Sequence, residues 1–169
     1  MRLGSLVLIT LLLTCGCGFH LRTFDLTSTV SSAYVTSNTR NFLTEPLRTS
    51  LRQVGVNEAS SAGEAELVVQ LVEQRRERRS VSVTGAALAA EYELTLGVRF
   101  SVFNVSDGQQ NVLIEPRWAQ ITRLYRIDPN NLVGSSEEQA LLEREMVADL
   151  VAQVIRALNA VSRETGIAS

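Results

Sequence analysis

The stretch from Tyr92 to Val102 constrains the fold most strongly, because apolar and polar side chains alternate along it. Charged or hydroxyl side chains and one glycine occupy the polar positions, and the apolar positions are Tyr92, Leu94, Leu96, Val98, Phe100 and Val102. Successive side chains of a strand point to opposite faces, so one face here is apolar and the other polar. Antiparallel sheets accommodate this pattern by burying one face and leaving the other in water. The segment therefore predicts a long strand in a half-covered sheet.

Three further segments have the composition of strands. A short strand is predicted over residues 31–36, a long one over residues 65–83 through an arginine-rich stretch, and a third over residues 112–127. Pro116 lacks the N–H donor that a central ladder needs, so we expect a bulge or interruption there. The Asp-Gly pair at 107–108 supplies the turn before the third of these strands.

Two segments carry apolar residues at helical spacing. The first helix is predicted over residues 44–54, with Pro46 in its first turn and Gly55 as its stop. The second is predicted over residues 136–162 and begins with a capping box at 136–139. Its apolar stripe must be buried, and the apolar face of the sheet is the nearest surface. We therefore predict an α+β fold, a two-layer sandwich with a mostly antiparallel sheet of about four strands and two helices packed on one face.

The N-terminus has the organisation of a secretory signal. Arg2 precedes an apolar run, and small residues follow it around Cys17. The run is about a dozen residues long, whereas a helix that spans a bilayer needs roughly 20. A permanent transmembrane helix is therefore not expected here.

Cys17 is the predicted lipidation site of a bacterial lipoprotein. Gly16 supplies the small residue that processing requires before the acylated cysteine. Cys15 is the competing acceptor, but it follows the β-branched Thr14, which suits a tight processing site less well. Thr14 also stands where such a site usually has leucine. The alternative is a plain signal peptide with incidental cysteines. Processing at Cys17 would remove Cys15 with the signal peptide and acylate Cys17, so no disulfide could form within the mature chain.

Processing at Cys17 predicts three parts of the chain. Residues 1–16 are the signal peptide, residues 17–29 the lipidated N-terminus and tether, and residues 30–165 a single α+β domain. A domain of this length can bury a core without disulfides. The formal charge of the whole chain is −2. Nucleic-acid binding normally needs a strongly basic surface, so no nucleic-acid partner is expected.

The sequence contains no recognisable catalytic or metal-binding set, so we expect neither an enzyme nor a cofactor. His20 is the only histidine, and it lies beside the predicted anchor without a partner at metal-ligand spacing. The serines lack a G-x-S-x-G elbow and a histidine base. Trp118 and Tyr125 are interpreted as packing residues. Four carboxylates are interpreted as parts of solvent-exposed faces: Glu91, Glu93, Glu143 and Glu145.

The segment from Cys17 to Arg22 reads Cys-Gly-Phe-His-Leu-Arg. It resembles the start of the mature lipopolysaccharide-assembly lipoproteins of the LptE family, in which the lipidated cysteine precedes Gly, an aromatic residue, His, Leu and Arg. Further similarities in residue type and spacing lie at Pro46 and Leu47, at Ala90, Glu91 and Tyr92, and at Glu145 and Met146.

The resemblance implies a sheet with two helices on one side and a lipoprotein of the outer membrane, anchored on its periplasmic face. Its implied partners are lipopolysaccharide and an LptD-type barrel, which it would plug and help to assemble during lipopolysaccharide insertion into the outer leaflet. Gly18 agrees with that location, since aspartate at this position usually retains lipoproteins in the inner membrane. The alternative is a periplasmic lipoprotein adaptor that binds peptidoglycan or the β-barrel assembly machinery. A lipid-anchored hydrolase is disfavoured because no base is present.

Four arginines, Arg75, Arg76, Arg78 and Arg79, are the candidate contact residues for an anionic ligand or the barrel. In the family a basic tip is thought to contact lipopolysaccharide, but the turns expected here at 84–90 and 134–136 carry no basic residue. Alternation sends Arg75 and Arg79 to one face of the strand and Arg76 and Arg78 to the other. They could form a solvated strand end that blocks aggregation. They could instead bind lipid A phosphates or acidic barrel side chains, because guanidinium groups bind such anions bidentately.

Overall fold

The computed structural model describes residues 30–83, 89–106, 108–128 and 131–164. Within them one five-stranded sheet has the order β2-β1-β3-β4-β5. In chain order the elements are β1 (Ser32–Ser37), α1 (Thr44–Gln53), β2 (Asn57–Glu58), β3 (Leu67–Val83), β4 (Ala89–Ser106), β5 (Gln109–Arg126) and α2 (Leu132–Glu164). The α+β class is confirmed. The prediction of about four strands was wrong by one, because β2 has only two residues and no alternation to mark it.

The sheet is mixed, which corrects the prediction of a mostly antiparallel one. β3, β4 and β5 are joined antiparallel, whereas β1 runs parallel to both β2 and β3. Parallel neighbours need a crossover connection, and α1 lies in the segment that links β1 to β2 and β3. Because β1 and β3 run in parallel, their first residues lie at the same end of the sheet, with Ala33 beside Leu67. We call this end of the sheet the base and the opposite end, near Arg78, the tip.

Both helices pack on one face of the sheet and share its hydrophobic core, as predicted. Leu47 of α1 and Leu150 of α2 are completely buried. They share the core with the apolar alternate side chains of β4, which include Val98 and Phe100. Within the described residues, neither helix is long and apolar enough to cross a membrane.

The opposite face of the sheet, here the open face, carries no helix from the described part of the chain. Near the base it holds a small apolar cluster built on Ala65, Val68 and Phe103. Towards the tip it becomes more polar and includes Arg75 and the partly exposed Trp118. The exposed side chains of this face include Trp118 and Leu124 of β5.

The bulge expected at Pro116 is present. Phe100 faces Arg117, but Val102 faces Ile114, so β5 holds one extra residue across the step that contains Pro116. Because β5 lies at the edge of the sheet, the missing proline N–H does not interrupt a central ladder.

The start of α2 differs from the prediction by four residues. The helix begins at Leu132, and the N–H of Gly134 donates to Asn131 Oδ1 at 3.0 Å. Asn131 therefore caps the helix, whereas Ser136 Oγ donates to the carbonyl of Val133 at 2.7 Å. The turn expected at 134–136 is thus helical.

Candidate functional site

The four arginines of β3 lie at the tip and divide between the two faces of the sheet. Arg76 and Arg78 lie on the face that carries the helices, where Arg76 reaches Glu143 of α2. Arg75 and Arg79 lie on the open face, near Trp118 and Glu93 respectively. The alternation in the sequence therefore assigned the faces correctly.

On the open face both arginines have carboxylate partners within the chain. Arg79 Nη2 donates to Glu93 Oε1 at 2.9 Å, and Arg75 Nε lies 3.3 Å from Glu77 Oε1. The guanidinium of Arg75 also lies 5.0 Å from the centroid of the Trp118 ring. The ring also packs near Gly97, where a Cβ atom would lie 3.4 Å from ring carbon Cε3. The Trp118 ring therefore contacts both the Arg75 guanidinium and the backbone at Gly97, and the residue is still 39 % exposed.

On the helix face Arg76 belongs to a polar network that joins β3, β5 and α2. Arg76 Nη1 lies 3.4 Å from Glu143 Oε2, while Glu143 Oε1 accepts a hydrogen bond from Gln139 Nε2 at 2.9 Å. Gln139 Oε1 accepts a hydrogen bond from Tyr125 Oη at 2.8 Å. The prediction that Glu143 belongs to a solvent face is wrong, because its side chain is only 22 % exposed and binds both neighbours.

Arg78 completes this arrangement through two aromatic rings. The rings of Tyr125 and Tyr92 stack with centroids 5.6 Å apart, and Arg78 Cζ lies 4.9 Å from the centroid of Tyr92. Tyr125 is buried, which confirms its interpretation as a packing residue. We call this group the tip network, and its members are Arg76, Arg78, Tyr92, Tyr125, Gln139 and Glu143.

The charge balance at the tip distinguishes Arg78 from its neighbours. Among the described residues Arg78 has no carboxylate partner, and its side chain is exposed. The nearby Glu91 is already engaged, because Arg126 Nη2 donates to its Oε1 at 2.6 Å. This hydrogen bond raises the pKa of Arg126 above its ordinary value, so the guanidinium stays charged. An incoming anion would therefore meet an unpaired cation at Arg78 and an ion-paired one at Arg76.

Sequence reasoning identified the arginines but missed the residues that position them. Tyr92 and Tyr125 are cross-strand neighbours in the register of β4 and β5. That pairing was predictable in principle from the shared turn between the two strands. The contacts of Gln139 and Glu143 were not predictable from the sequence, because they depend on where α2 crosses the sheet.

Several predicted features lie outside the described residues. These include Cys17, the tether at 17–29 and most of the turn expected at 84–90. Within the described ranges, no group of three or more His, Cys, Asp or Glu side chains could hold a metal ion.

Solved structures similar to this one are bacterial lipoproteins. Rare lipoprotein B from Shewanella oneidensis superposes with a TM-score of 0.66 at 25 % identity, covering 79 % of this chain and 98 % of that one. Uncharacterized lipoprotein B from Nitrosomonas europaea gives a TM-score of 0.67 at 22 % identity, covering 79 % and 85 % of the respective chains. The second likeness supports the fold alone.

The sequence comparisons identify the family. The LPS-assembly lipoprotein LptE of Photorhabdus laumondii is 28 % identical over 163 residues, which cover 93 % of this chain and 85 % of that protein. Residues 21–158 match the family LptE, described as lipopolysaccharide-assembly. Since this match spans well over half of the sequence, the chain belongs to the LptE family of lipopolysaccharide-assembly proteins.

Proposed function

We propose that this protein is an outer-membrane lipoprotein that plugs an LptD-type barrel, assists its assembly and takes part in lipopolysaccharide transport to the outer leaflet. Family membership supports the transport role. The barrel partner, the location and the residues that contact lipopolysaccharide are part of the proposal. The observation that carries it is the distance between the base and the tip of the sheet.

The described chain begins at the base, and the arginines lie at the tip. Val30 lies two residues before β1, whose Ala33 lies level with Leu67 at the start of β3. From Leu67 to Arg78 an extended strand covers roughly 36 Å at a rise of about 3.3 Å per residue. The hydrocarbon core of a bilayer is about 30 Å thick. A domain anchored through Cys17 in the inner leaflet and enclosed by a barrel would therefore carry its arginines to the level of the outer leaflet.

The chemistry of the tip suits phosphate groups. A guanidinium can donate two parallel hydrogen bonds to a phosphate, and Arg78 is not occupied by a carboxylate among the described residues. Arg75 and Arg79 are themselves exposed and have carboxylate partners on the open face, Glu77 at 65 % exposure and Glu93 at 28 %. Exposed ion pairs contribute only about 0 to 1 kcal/mol, so a phosphate can replace them at low cost. We propose that Arg78 is the primary contact and that Arg75, Arg76 and Arg79 support it.

Replacing Arg78 with glutamine tests this assignment, because the change keeps polarity and removes the charge. If Arg78 binds a lipid A phosphate, lipopolysaccharide binding should weaken about tenfold, as expected for a lost charge-assisted hydrogen bond. The dependence of binding on salt should also become shallower. The matched control is Arg40→Gln, another exposed arginine without a carboxylate partner among the described residues, which should bind as the unmodified protein does.

A second measurement on the same variants distinguishes lipopolysaccharide from the barrel. We would add the pair Arg76→Gln with Arg78→Gln and recover the protein in mild detergent. Loss of a large barrel partner with intact lipopolysaccharide binding would assign the arginines to the barrel wall. If both properties remain unchanged in a folded pair variant, the arginines form only a solvated strand end. Recovery of peptidoglycan or of the β-barrel assembly machinery in place of one large barrel would favour the adaptor role.

A further inference from the structure

The outer edge of β5 presents a long row of backbone groups without a strand partner. Residues 117–126 pair with residues 91–100 of β4 in unbroken register. Across the residues that the structure describes, no strand pairs with the other side of β5. One side chain reaches a carbonyl there, since Arg123 Nη1 lies 3.5 Å from the oxygen of Thr122, a long contact. Such an edge is a template for another extended chain.

The features that usually protect an edge strand lie outside this stretch. Pro116 and both register shifts of β5 precede Arg117, whereas residues 117–126 contain no proline, glycine or bulge. Arginines within the stretch do not block the edge fully, because two of them are turned to partners inside the chain. Arg123 Nη2 donates to Asp149 Oδ2 of α2 at 3.0 Å, and Arg126 is held by Glu91.

A polar cleft of about 400 Å³ opens beside this edge, between β5 and α2. Its lining includes Gln120 and Thr122 from β5, together with Gln153 and Arg156 from α2. A strand added to a sheet lies about 4.8 Å from its neighbour. An additional strand beside β5 would therefore run along the mouth of this cleft, where the amide and guanidinium groups of α2 could contact its side chains.

The charges along the edge define the kind of strand that fits. Residues 117–126 contain no aspartate or glutamate. Arg117 and Arg156 are exposed and have no carboxylate partner among the described residues. A second copy of β5 is disfavoured because pairing would bring arginine-rich strands together, and like charges directly opposite destabilise a pair. An extended segment with acidic side chains could pair with the free backbone groups of the β5 edge and also neutralise Arg117 and Arg156.

The open face beside the edge supplies apolar contacts for the same partner. Leu124 is 65 % exposed and Trp118 is 39 % exposed, although both lie on strand β5. Exposed tryptophan and leucine on one flank can anchor alternate side chains of an added strand, since tryptophan is enriched among the residues that dominate binding energy.

We propose that residues 117–126 form a strand-addition site, at which an extended acidic segment of a partner protein pairs with β5 as the sixth strand of the sheet. Main-chain hydrogen bonds supply affinity in this mode, while Arg117 and Arg156 select for acidic side chains. The site does not depend on lipopolysaccharide binding at the tip.

The test uses the mature chain and two capped peptides of equal length, one alternating valine with glutamate and one alternating valine with lysine. We expect the glutamate peptide to slow hydrogen exchange of backbone amides within residues 117–126 and to bind at least about tenfold more tightly than the lysine peptide. The double variant Arg117→Glu with Arg156→Glu should lose that preference. Arg40→Glu, which makes half of that change of charge at one distant position, should keep it.

Several outcomes would overturn the proposal. One is unchanged exchange in residues 117–126 at saturating glutamate peptide, and another is equal binding of the two peptides. A third is protection of the same amides that rises with protein concentration in the absence of peptide, which would show that a second copy occupies the edge. The exchange measurement uses the unmodified chain, so a variant that fails to fold does not affect it.

Discussion

Replacing Leu150 with alanine is expected to lower the free energy of unfolding by about 2 to 5 kcal/mol, the range for deletion of a buried leucine side chain. Leu150 lies in the middle of α2 and its exposed fraction is 0 %. Its side chain is part of the core that α2 shares with α1 and the sheet. Because the surrounding side chains can relax only partly, the substitution removes apolar burial and leaves a cavity.

Urea unfolding monitored by circular dichroism measures this loss. The matched control is Leu141→Ala on the same helix, where the leucine is 50 % exposed. Substitutions at exposed positions usually change stability by about 0.5 kcal/mol or less, so the control should remain close to the unmodified protein. If Leu150→Ala cost no more than Leu141→Ala, Leu150 would not be packed in the core that α2 shares with α1 and the sheet.

Replacing Cys17 with alanine is expected to abolish attachment to the membrane through acyl chains. Acylation of this cysteine is the proposed anchor, and each buried CH₂ group of an acyl chain contributes about 0.8 kcal/mol to membrane binding. Neither described helix can substitute as a membrane span. The variant should therefore be recovered in an uncleaved or soluble periplasmic form after cell fractionation.

The control for this experiment is Cys15→Ala, which should remain attached because the predicted signal peptide carries Cys15 away. Mass spectrometry of the mature N-terminus would identify the acylated residue directly. Acyl chains found on Cys15 would show that the processing site was assigned to the wrong cysteine. Recovery of the unmodified protein in the inner membrane would contradict the proposed outer-membrane location, which depends on glycine at position 18.

The helices show where local sequence decides structure and where it does not. The predicted end of α1 is close to the observed one, because Gly55 takes the left-handed conformation with φ of 85° that a helix stop favours. The start of α2 was misplaced because Ser136 and Asn131 are both good caps by residue type. Only the hydrogen bond from Gly134 to Asn131 shows which of them is used.

The sheet shows a different limit. Alternation along β4 predicted a strand with one buried face, because that pattern follows directly from strand geometry. Alternation contains no information on strand direction, so the parallel pairing of β1 with β3 could not be predicted. The two-residue strand β2 is held beside β1 by backbone pairing and by contacts with distant residues, such as the hydrogen bond from Asn57 Nδ2 to the Ser31 carbonyl, which no local pattern indicates.

The candidate site was predicted in part. The faces of the four arginines followed from the period of a strand, and the structure agrees. The partners of the arginines could not be predicted from that period. Glu143, for example, is more than sixty residues away from Arg76 along the chain and reaches it only because α2 packs on the sheet. The sequence therefore located the charges but not which of them are neutralised within the chain.

Surface lipopolysaccharide after depletion of the protein in its native bacterium tests the central claim most directly. Cells that lose the protein should carry less lipopolysaccharide in the outer leaflet, and newly made lipopolysaccharide should accumulate at inner sites. Expression of the unmodified chain should restore the surface level, whereas the Cys17→Ala variant should restore it poorly. An unchanged amount of surface lipopolysaccharide in fully depleted cells would contradict a role for this protein in lipopolysaccharide transport.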